Sequence, residues 1–148
     1  MQEILNEILK RSAASTAGGR VASYIPELAK ACREDLGIAL NTRDGAVFAA
    51  GDAEKDFTIQ SISKVLALAY IISIRGEDAV FSRVGKEPTG DPFNSIIRLE
   101  TSASGKPFNP FINAGAIVVS AMMPGASPGE RIERFCAFAA ALTGRKSS

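Results

Sequence analysis

Gln60-Ser-Ile-Ser-Lys-Val-Leu-Ala-Leu-Ala-Tyr-Ile-Ile-Ser-Ile-Arg75 is the stretch on which the fold turns. From Val65 onward it is apolar on nearly every side, so as a helix it expects cover on every side. Gly76 supplies a stop. The apolar run Val65 to Ile74 is broken by Ser73 and is far shorter than the roughly 20 residues of a membrane span, so it reads as a buried core helix. Ser61 and Lys64 stand about one turn apart at the head of this helix and share a face. There, unpaired backbone N–H groups and the positive end of the helix dipole favour a developing oxyanion. A lysine serves as a base where an apolar setting favours its neutral form, and Val65, Leu66 and Leu68 supply such a setting. The same four residues also fit a capping serine followed by a snorkelling lysine. Ser63, next to Lys64, points elsewhere on the helix and is the weaker nucleophile.

Outward from this helix the strongest signal is a β-hairpin. Leu36 to Leu40 and Ala46 to Ala50 are two short apolar runs joined by Asn41-Thr-Arg-Asp-Gly45, and Asp44-Gly45 tolerates the positive φ that tight turns require. Ile4, Leu5, Ile8 and Leu9 mark an amphipathic first helix, followed by a loop over Ser12 to Gly19. Pro26 fits the first turn of a short helix running toward Cys32. Arg83 to Pro110 is rich in Gly, Pro and Asn and reads as long irregular structure, with Asp91-Pro92 as a helix-starting pair inside it. Asn109-Pro110 repeats that signature and opens a helix from Phe111 to Met122. Asn113 and Gly115 fall in its first turns, where Asn113 suits a ligand-facing amide or simple packing, and Ala-Gly-Ala lets another backbone come close. Ser127-Pro-Gly-Glu130 is a capping box for a last helix to about Leu142, with Gly144 past its end. The fold class is therefore α+β, mostly helical, with one antiparallel hairpin near residues 36–50.

Composition narrows the chemistry. The chain has 148 residues, 46% hydrophobic and 22% charged, with net charge +1, as in a soluble globular domain that is not a strongly basic nucleic-acid binder. It contains no histidine, which removes Ser-His-Asp triads, Cys-His dyads and HExxH zinc sites. Any activating base must be lysine, tyrosine or a carboxylate. Cys32 and Cys136 form no CxxC, and with no secretory h-region at the start they are expected as two buried thiols in a reducing cytoplasm.

Five stretches together carry a family resemblance: Gly19-Arg-Val-Ala-Ser-Tyr-Ile-Pro-Glu-Leu-Ala29, Leu36-Gly-Ile-Ala39, Gln60-Ser-Ile-Ser-Lys-Val65, Arg83-Val-Gly-Lys-Glu-Pro-Thr-Gly-Asp-Pro-Phe-Asn-Ser95 and Asn109-Pro-Phe-Ile-Asn-Ala-Gly-Ala-Ile117. Over nearly its whole length the chain resembles the bacterial type of serine-dependent glutaminase. The resemblance implies a β-lactamase/transpeptidase-like fold, a superfamily in which Ser-x-x-Lys catalysis is found. It implies hydrolysis of the side-chain amide of L-glutamine to glutamate and ammonia, with no metal and no organic cofactor. Ser61 would be the acylated nucleophile and Lys64 its base partner. Tyr24, Gln60 and Ser61 would line the substrate pocket, and Asn113 would bind the α-amino-acid end of glutamine. The Tyr24 phenol also fits a plain anchor for the entering chain. A cytoplasmic homo-oligomer is expected, with neither nucleic acid nor membrane as partner.

Members of this family are about twice as long. Residues 1–148 therefore read as the N-terminal half of a single glutaminase domain, without its C-terminal strands and helices. A substrate-holding glutamate and asparagine, assisting tyrosines and an oxyanion-hole N–H of the family lie beyond the resemblance. One hairpin is a marginal sheet, and an uncovered apolar surface is expected where further elements would dock. Three alternatives stand beside a complete enzyme: a fragment with little activity alone, a non-catalytic helper chain that needs a C-terminal half, and another Ser-x-x-Lys acylase or penicillin-recognising protein.

Overall fold

The computed structural model describes residues 1–90 and 105–144. The chain divides into two compact units, Met1–Thr58 and Ile59–Ser148. The Asp91-Pro92 pair lies outside the described residues, as does half of the long segment around it.

The first unit is a helix on a hairpin. Helix α1 (Gln2–Thr16) runs through the stretch expected as a loop. Ser12 to Thr16 continue it because the segment is alanine-rich and makes no demand for cover, and Thr16 Oγ1 turns back to the Ala13 carbonyl at 2.8 Å. Leu5, 4% exposed, and Ala50 of the hairpin are its buried apolar residues. Gln2 Nε2 donates to the Ala49 carbonyl at 2.7 Å, which ties the start of α1 to the second strand. Pro26 precedes a single 3-10 turn, Leu28–Lys30, rather than a longer helix.

Strands β1 (Gly37–Asn41) and β2 (Val47–Gly51) pair antiparallel, Gly37 against Gly51 and Asn41 against Val47. The turn closes as its sequence predicts. Gly45 takes φ 87°, Thr42 N donates to the Ala46 carbonyl at 2.9 Å, and Gly45 N donates to the Thr42 carbonyl. The open end is latched by Asp52, whose Oδ2 accepts from Leu36 N at 3.0 Å while its own N–H donates to the Leu36 carbonyl at 2.9 Å. Lys55 bridges the Asp35 and Asp52 carboxylates.

The second unit is built around the decisive helix. A 3-10 turn, Gln60–Ile62, leads into α2 (Ser63–Arg75), and Gly76 ends it. Helix α3 (Glu77–Phe81) follows, then α4 (Asn113–Ala121) and α5 (Pro128–Thr143). Ala67, Tyr70 and Ile71 of α2 pack with Val80, Val84, Val119 and Met122 to form the core, and the Tyr70 and Phe138 rings meet at 4.9 Å between centroids. The capping box forms: Ser127 Oγ accepts from Glu130 N at 3.1 Å. The Glu130 carboxylate reaches back one residue further than the usual box, to Ala126 N at 2.7 Å, and also holds Arg134. These donors, Ala126 N–H first, keep the Glu130 carboxyl below its ordinary range.

Two further expectations are corrected. Helix α4 begins at Asn113, not Phe111, because Ile112 is still extended, with ψ 156°. Both cysteines are exposed free thiols rather than buried ones. Cys136 stands one residue past Phe135, about 100° around α5 from that half-buried side chain, and α5 packs on one face only. Cys32 lies just past the 3-10 turn, where its thiol meets the Glu34 carboxylate at 3.2 Å.

The fold class is as expected, mostly helical with one hairpin. The expected bare apolar surface is also present: Ile62, Val65, Ile74, Ile117 and Ile132 are exposed.

Asp52 makes the hairpin sensitive to acid. The Leu36 N–H and then Lys55 hold its carboxyl below the ordinary value of 3.8. A depressed carboxylate stabilises the fold in full above its ordinary value and loses that contribution as pH falls below it. The protection factors of the hairpin amides, which remove the intrinsic pH dependence of exchange, should therefore fall below pH 3.8 in the native chain, and Asp52→Asn should lower them at neutral pH while flattening the acid limb. An unchanged acid limb in Asp52→Asn would show that another group carries the dependence.

Candidate active site

The residues picked out at the head of α2 come together with the head of α4. Lys64, half-buried in the first turn of α2, donates from Nζ to Asn113 Oδ1 at 2.7 Å and to the Phe111 carbonyl at 2.9 Å. An ammonium or amine facing an amide at that distance donates to it, so the oxygen of Asn113 must face Lys64. The bond is charge-assisted while Lys64 is protonated. It joins positions that are 49 residues apart in the chain.

Ser61 sits in the 3-10 turn ahead of α2 and is exposed. The sequence placed it on the helix proper. A 3-10 turn brings residues i and i+3 nearly into eclipse, so the spacing to Lys64 keeps the two on one side. Ser63, the weaker candidate, spends its hydroxyl on the Gln60 carbonyl at 2.7 Å. Gln60 takes φ 46° and is the non-glycine residue with positive φ among those described. A left-handed glutamine costs about 1–2 kcal/mol, and such strain clusters at functional sites. Here it lies immediately before Ser61. Tyr24 belongs to the first unit, just ahead of its 3-10 turn, and is exposed.

Asn109 is the positioning residue that sequence reading undervalued. Asn-Pro pointed to a helix start. Instead, Asn109 Oδ1 accepts from Phe111 N at 3.0 Å and Ile112 N at 3.2 Å, and Nδ2 donates to the Glu87 carbonyl at 3.0 Å. This turn aims the Phe111 carbonyl at Lys64 and sets where α4 begins. Gly115 completes the arrangement. A Cβ there would overlap the Asn109 carbonyl oxygen, so the backbone approach foreseen in Ala-Gly-Ala is real.

Between α2, α4 and α5 lies an open groove of about 670 Å³. Lys64, Asn113 and Ser63 give it a polar end, and Ala67, Ile117, Met123, Ile132 and Phe135 line the remainder together with Ser120 and Arg131. A polar head on an apolar floor suits an organic ligand whose few polar groups must be oriented.

Comparison with known proteins places this arrangement. Residues 19–148 match the family model described as Glutaminase, and the chain belongs to the glutaminase family. It is 54% identical over 142 residues to the glutaminase of Shouchella clausii, covering 95% of this chain and 46% of that protein. It is 51% identical over 139 residues to glutaminase 2 of Bacillus subtilis, covering 94% of this chain and 45% of the relative. The chain thus spans about half the length of the curated relatives it matches. Among solved structures, the probable glutaminase of Bacillus subtilis superposes with a TM-score of 0.85 at 38% identity, over 99% of this chain and 44% of that one. Mglu, solved in its tris and glutamate form, gives 0.85 at 39% identity over 98% of this chain and 32% of that one. These neighbours place the fold among bacterial glutaminases of the β-lactamase-like type.

The strained backbone at Gln60 is testable without any assay of activity. Gln60→Val should lower the thermal stability of the second unit by about 1–3 kcal/mol, since a β-branched residue resists positive φ most. Gln60→Asn, which tolerates that region, should cost clearly less in the same melts. Equal losses would place the cost in side-chain contacts rather than in the backbone.

Proposed function

We propose that this chain is the N-terminal half of a single glutaminase domain and carries its acylating centre. The substrate is L-glutamine, and the products are glutamate and ammonia. Family membership over residues 19–148, with Ser61 and Lys64 at the head of the core helix, is the observation that carries this reading. The glutamate form of Mglu supports it, because glutamate would be the product left in such a site.

In the proposed step Ser61 Oγ attacks the side-chain amide carbon, and its proton passes to Lys64 Nζ. The tetrahedral intermediate collapses as that proton reaches the departing nitrogen, which leaves as ammonia. Water then attacks the acyl ester and returns Ser61. A neutral lysine amine has two N–H groups and one lone pair. The Asn113 oxygen and the Phe111 carbonyl both accept from Lys64 Nζ and locate the amine. Ser61 supplies the nucleophile and Lys64 the base, so the chemistry calls on neither a metal nor an organic cofactor. In this reading Tyr24 and Gln60 are substrate-binding residues, as the resemblance to the family implies. Asn113 serves twice, holding Lys64 through its oxygen and offering its amide to the amino-acid end of glutamine.

The reading also holds that residues 1–148 alone turn over slowly. The family's further substrate-holding groups and its oxyanion-hole N–H belong to the part of the relatives that this chain does not span. Ammonia release from L-glutamine, measured on the purified chain with and without a complementary C-terminal half, tests it. Turnover should be low alone and rise on mixing. Ser61→Ala should abolish it, and Lys64→Met should reduce it by roughly 10²–10⁴-fold. Asn113→Ala should raise KM at least about tenfold, the weight of a hydrogen bond to a charged group, with little change in melting temperature. Ammonia release that survives Ser61→Ala would remove Ser61 from the mechanism, and turnover of penicillin-type amides in place of glutamine would favour a different acylase.

A further inference from the structure

Asn109 and Asn113 flank the start of α4, and they differ in what they face. Asn113 is exposed and meets Lys64 directly. Asn109 is half-buried and spends its side chain on backbone. Its Nδ2 donates to the Glu87 carbonyl at 3.0 Å, and its Oδ1 accepts from Ile112 N at 3.2 Å as well as from Phe111 N. The Ile112 N–H and the Phe111 C=O belong to one peptide unit. That unit is planar and trans, so its N–H and C=O point in opposite directions and cannot be aimed separately. Fixing the N–H on Asn109 therefore fixes the carbonyl, whose oxygen accepts from Lys64 Nζ at 2.9 Å.

The same carbonyl is kept out of the helix. Ala116 N donates to the Ile112 carbonyl at 2.9 Å, so the ladder of α4 starts one residue past Phe111. Had the helix begun at Phe111, as Asn-Pro suggests, that carbonyl would accept from the Gly115 N–H instead. The far end is anchored as well, because Glu87 N donates to the Phe108 carbonyl at 3.0 Å. Three hydrogen bonds thus run in series, from the Glu87 carbonyl through the Asn109 amide and the Phe111–Ile112 peptide to Lys64. Bonds in such a series polarise one another.

We propose that Asn109 is a positioning residue for Lys64, acting through the one peptide plane that joins them. The inference rests on the reading of Lys64 as the base and adds a division of labour. Asn109 governs the chemical step, and Asn113 holds the amino-acid end of glutamine. Lys64 becomes an ammonium as it takes the Ser61 proton, and a charged donor makes a hydrogen bond roughly twice as strong as a neutral one. The Phe111 carbonyl is therefore worth most as that charge develops. Misplacing it lowers kcat and leaves KM in place.

Trace acetylation of the 148-residue chain with acetic anhydride, read lysine by lysine by mass spectrometry, tests the positioning without any turnover. Asn109→Ala should raise the labelling of Lys64 about threefold relative to the exposed Lys10 and Lys30, the weight of one hydrogen bond. Asn109→Asp keeps an oxygen for the Ile112 N–H and should lie closer to the native chain than to Asn109→Ala. Coupling along the series is reciprocal. Lys64→Met should therefore lower the hydrogen-exchange protection of the Ile112 amide about threefold, while the amide of Ile71 in the core keeps its own. That second variant decides the matter if Asn109→Ala does not fold. In ammonia release from L-glutamine, Asn109→Ala should lower kcat roughly 10–100-fold with KM within about twofold, the reverse of Asn113→Ala.

Unchanged Lys64 labelling in Asn109→Ala, equal rises in the Ala and Asp variants, or an Ile112 amide indifferent to Lys64→Met would each overturn the proposal. So would an intact kcat in Asn109→Ala beside activity abolished by Ser61→Ala, an outcome that leaves the functional reading in place. Labelling as expected, with ammonia release that survives Ser61→Ala, would uphold the positioning of Lys64 and remove the mechanism read for it.

Discussion

The tie from Lys64 to Asn113 and the Phe111 carbonyl is the contact on which the arrangement of the second unit's candidate site depends. It sets the head of α2 against the head of α4. Several pieces of backbone must agree for it to form. Gly85 N donates to the Pro107 carbonyl at 2.8 Å and Glu87 N to the Phe108 carbonyl at 3.0 Å, which lays the approach to α4 alongside the segment after α3. Asn109 then fastens itself to the Glu87 carbonyl and folds Phe111 and Ile112 over its own oxygen. Gly115 lets that turn lie against the first turn of α4. Removing any of these would displace the two acceptors that locate the Lys64 amine.

Packing supplies the other half of the constraint. Ile71, Val80, Val84 and Val119 are essentially inaccessible, and they fix α2 against α3 and α4. The cover is one-sided. Ala67, Tyr70 and Ile71 face the core, whereas Ile62, Val65 and Ile74 face water. The first unit is thinner still, with Leu5 and Ala50 as its buried apolar residues on a two-stranded sheet. Such a sheet is marginal without more strands or a larger packed face. Polar latches therefore take a larger share there, in the Asp52–Leu36 pairing, the Lys55 bridge and the Gln2 contact with Ala49. A chain that spans about half of its relatives' length keeps the local order of both regions and leaves their outer apolar faces bare.

What the sequence made legible was local. The Asp44-Gly45 turn, the Gly76 stop and the Ser127 cap of the last helix each depend on residues a few positions apart, and each took the expected form. The features that escaped depend on what happens at a distance. Cys136 was expected as a buried thiol on redox grounds alone, and only the one-sided packing of α5 shows it in water. Asn109 read as the start of a helix, since nothing in Asn-Pro reveals that its amide will be claimed by Glu87. Ser12 to Thr16 looked too small and polar for helix, although alanine carries the turn without tertiary help. The division into two units at Thr58 has no marker in composition at all. Lys64 fell between the two cases. Its spacing from Ser61 was plain, but its partners lie 47 and 49 residues onward.

The missing histidine gives these facts their order. Without imidazole the base proposed for Ser61 is the Lys64 amine, and an amine presents a geometric problem that a flat ring does not. Its lone pair has no fixed direction until two N–H groups are engaged. An imidazole can be oriented by one acceptor at its far nitrogen, whereas a lysine at the end of a flexible chain needs two acceptors at its reactive nitrogen itself. In the proposed reading Asn113 and the Phe111 carbonyl serve as such acceptors, and they arrive from the head of α4 and the turn just before it. The residue that would perform the chemistry is therefore the one that closes the tertiary contact. That coupling explains why a strained Gln60, a clash-free Gly115 and an Asx-turned Asn109 gather within this one junction: each sharpens the position of an atom that has no rigidity of its own.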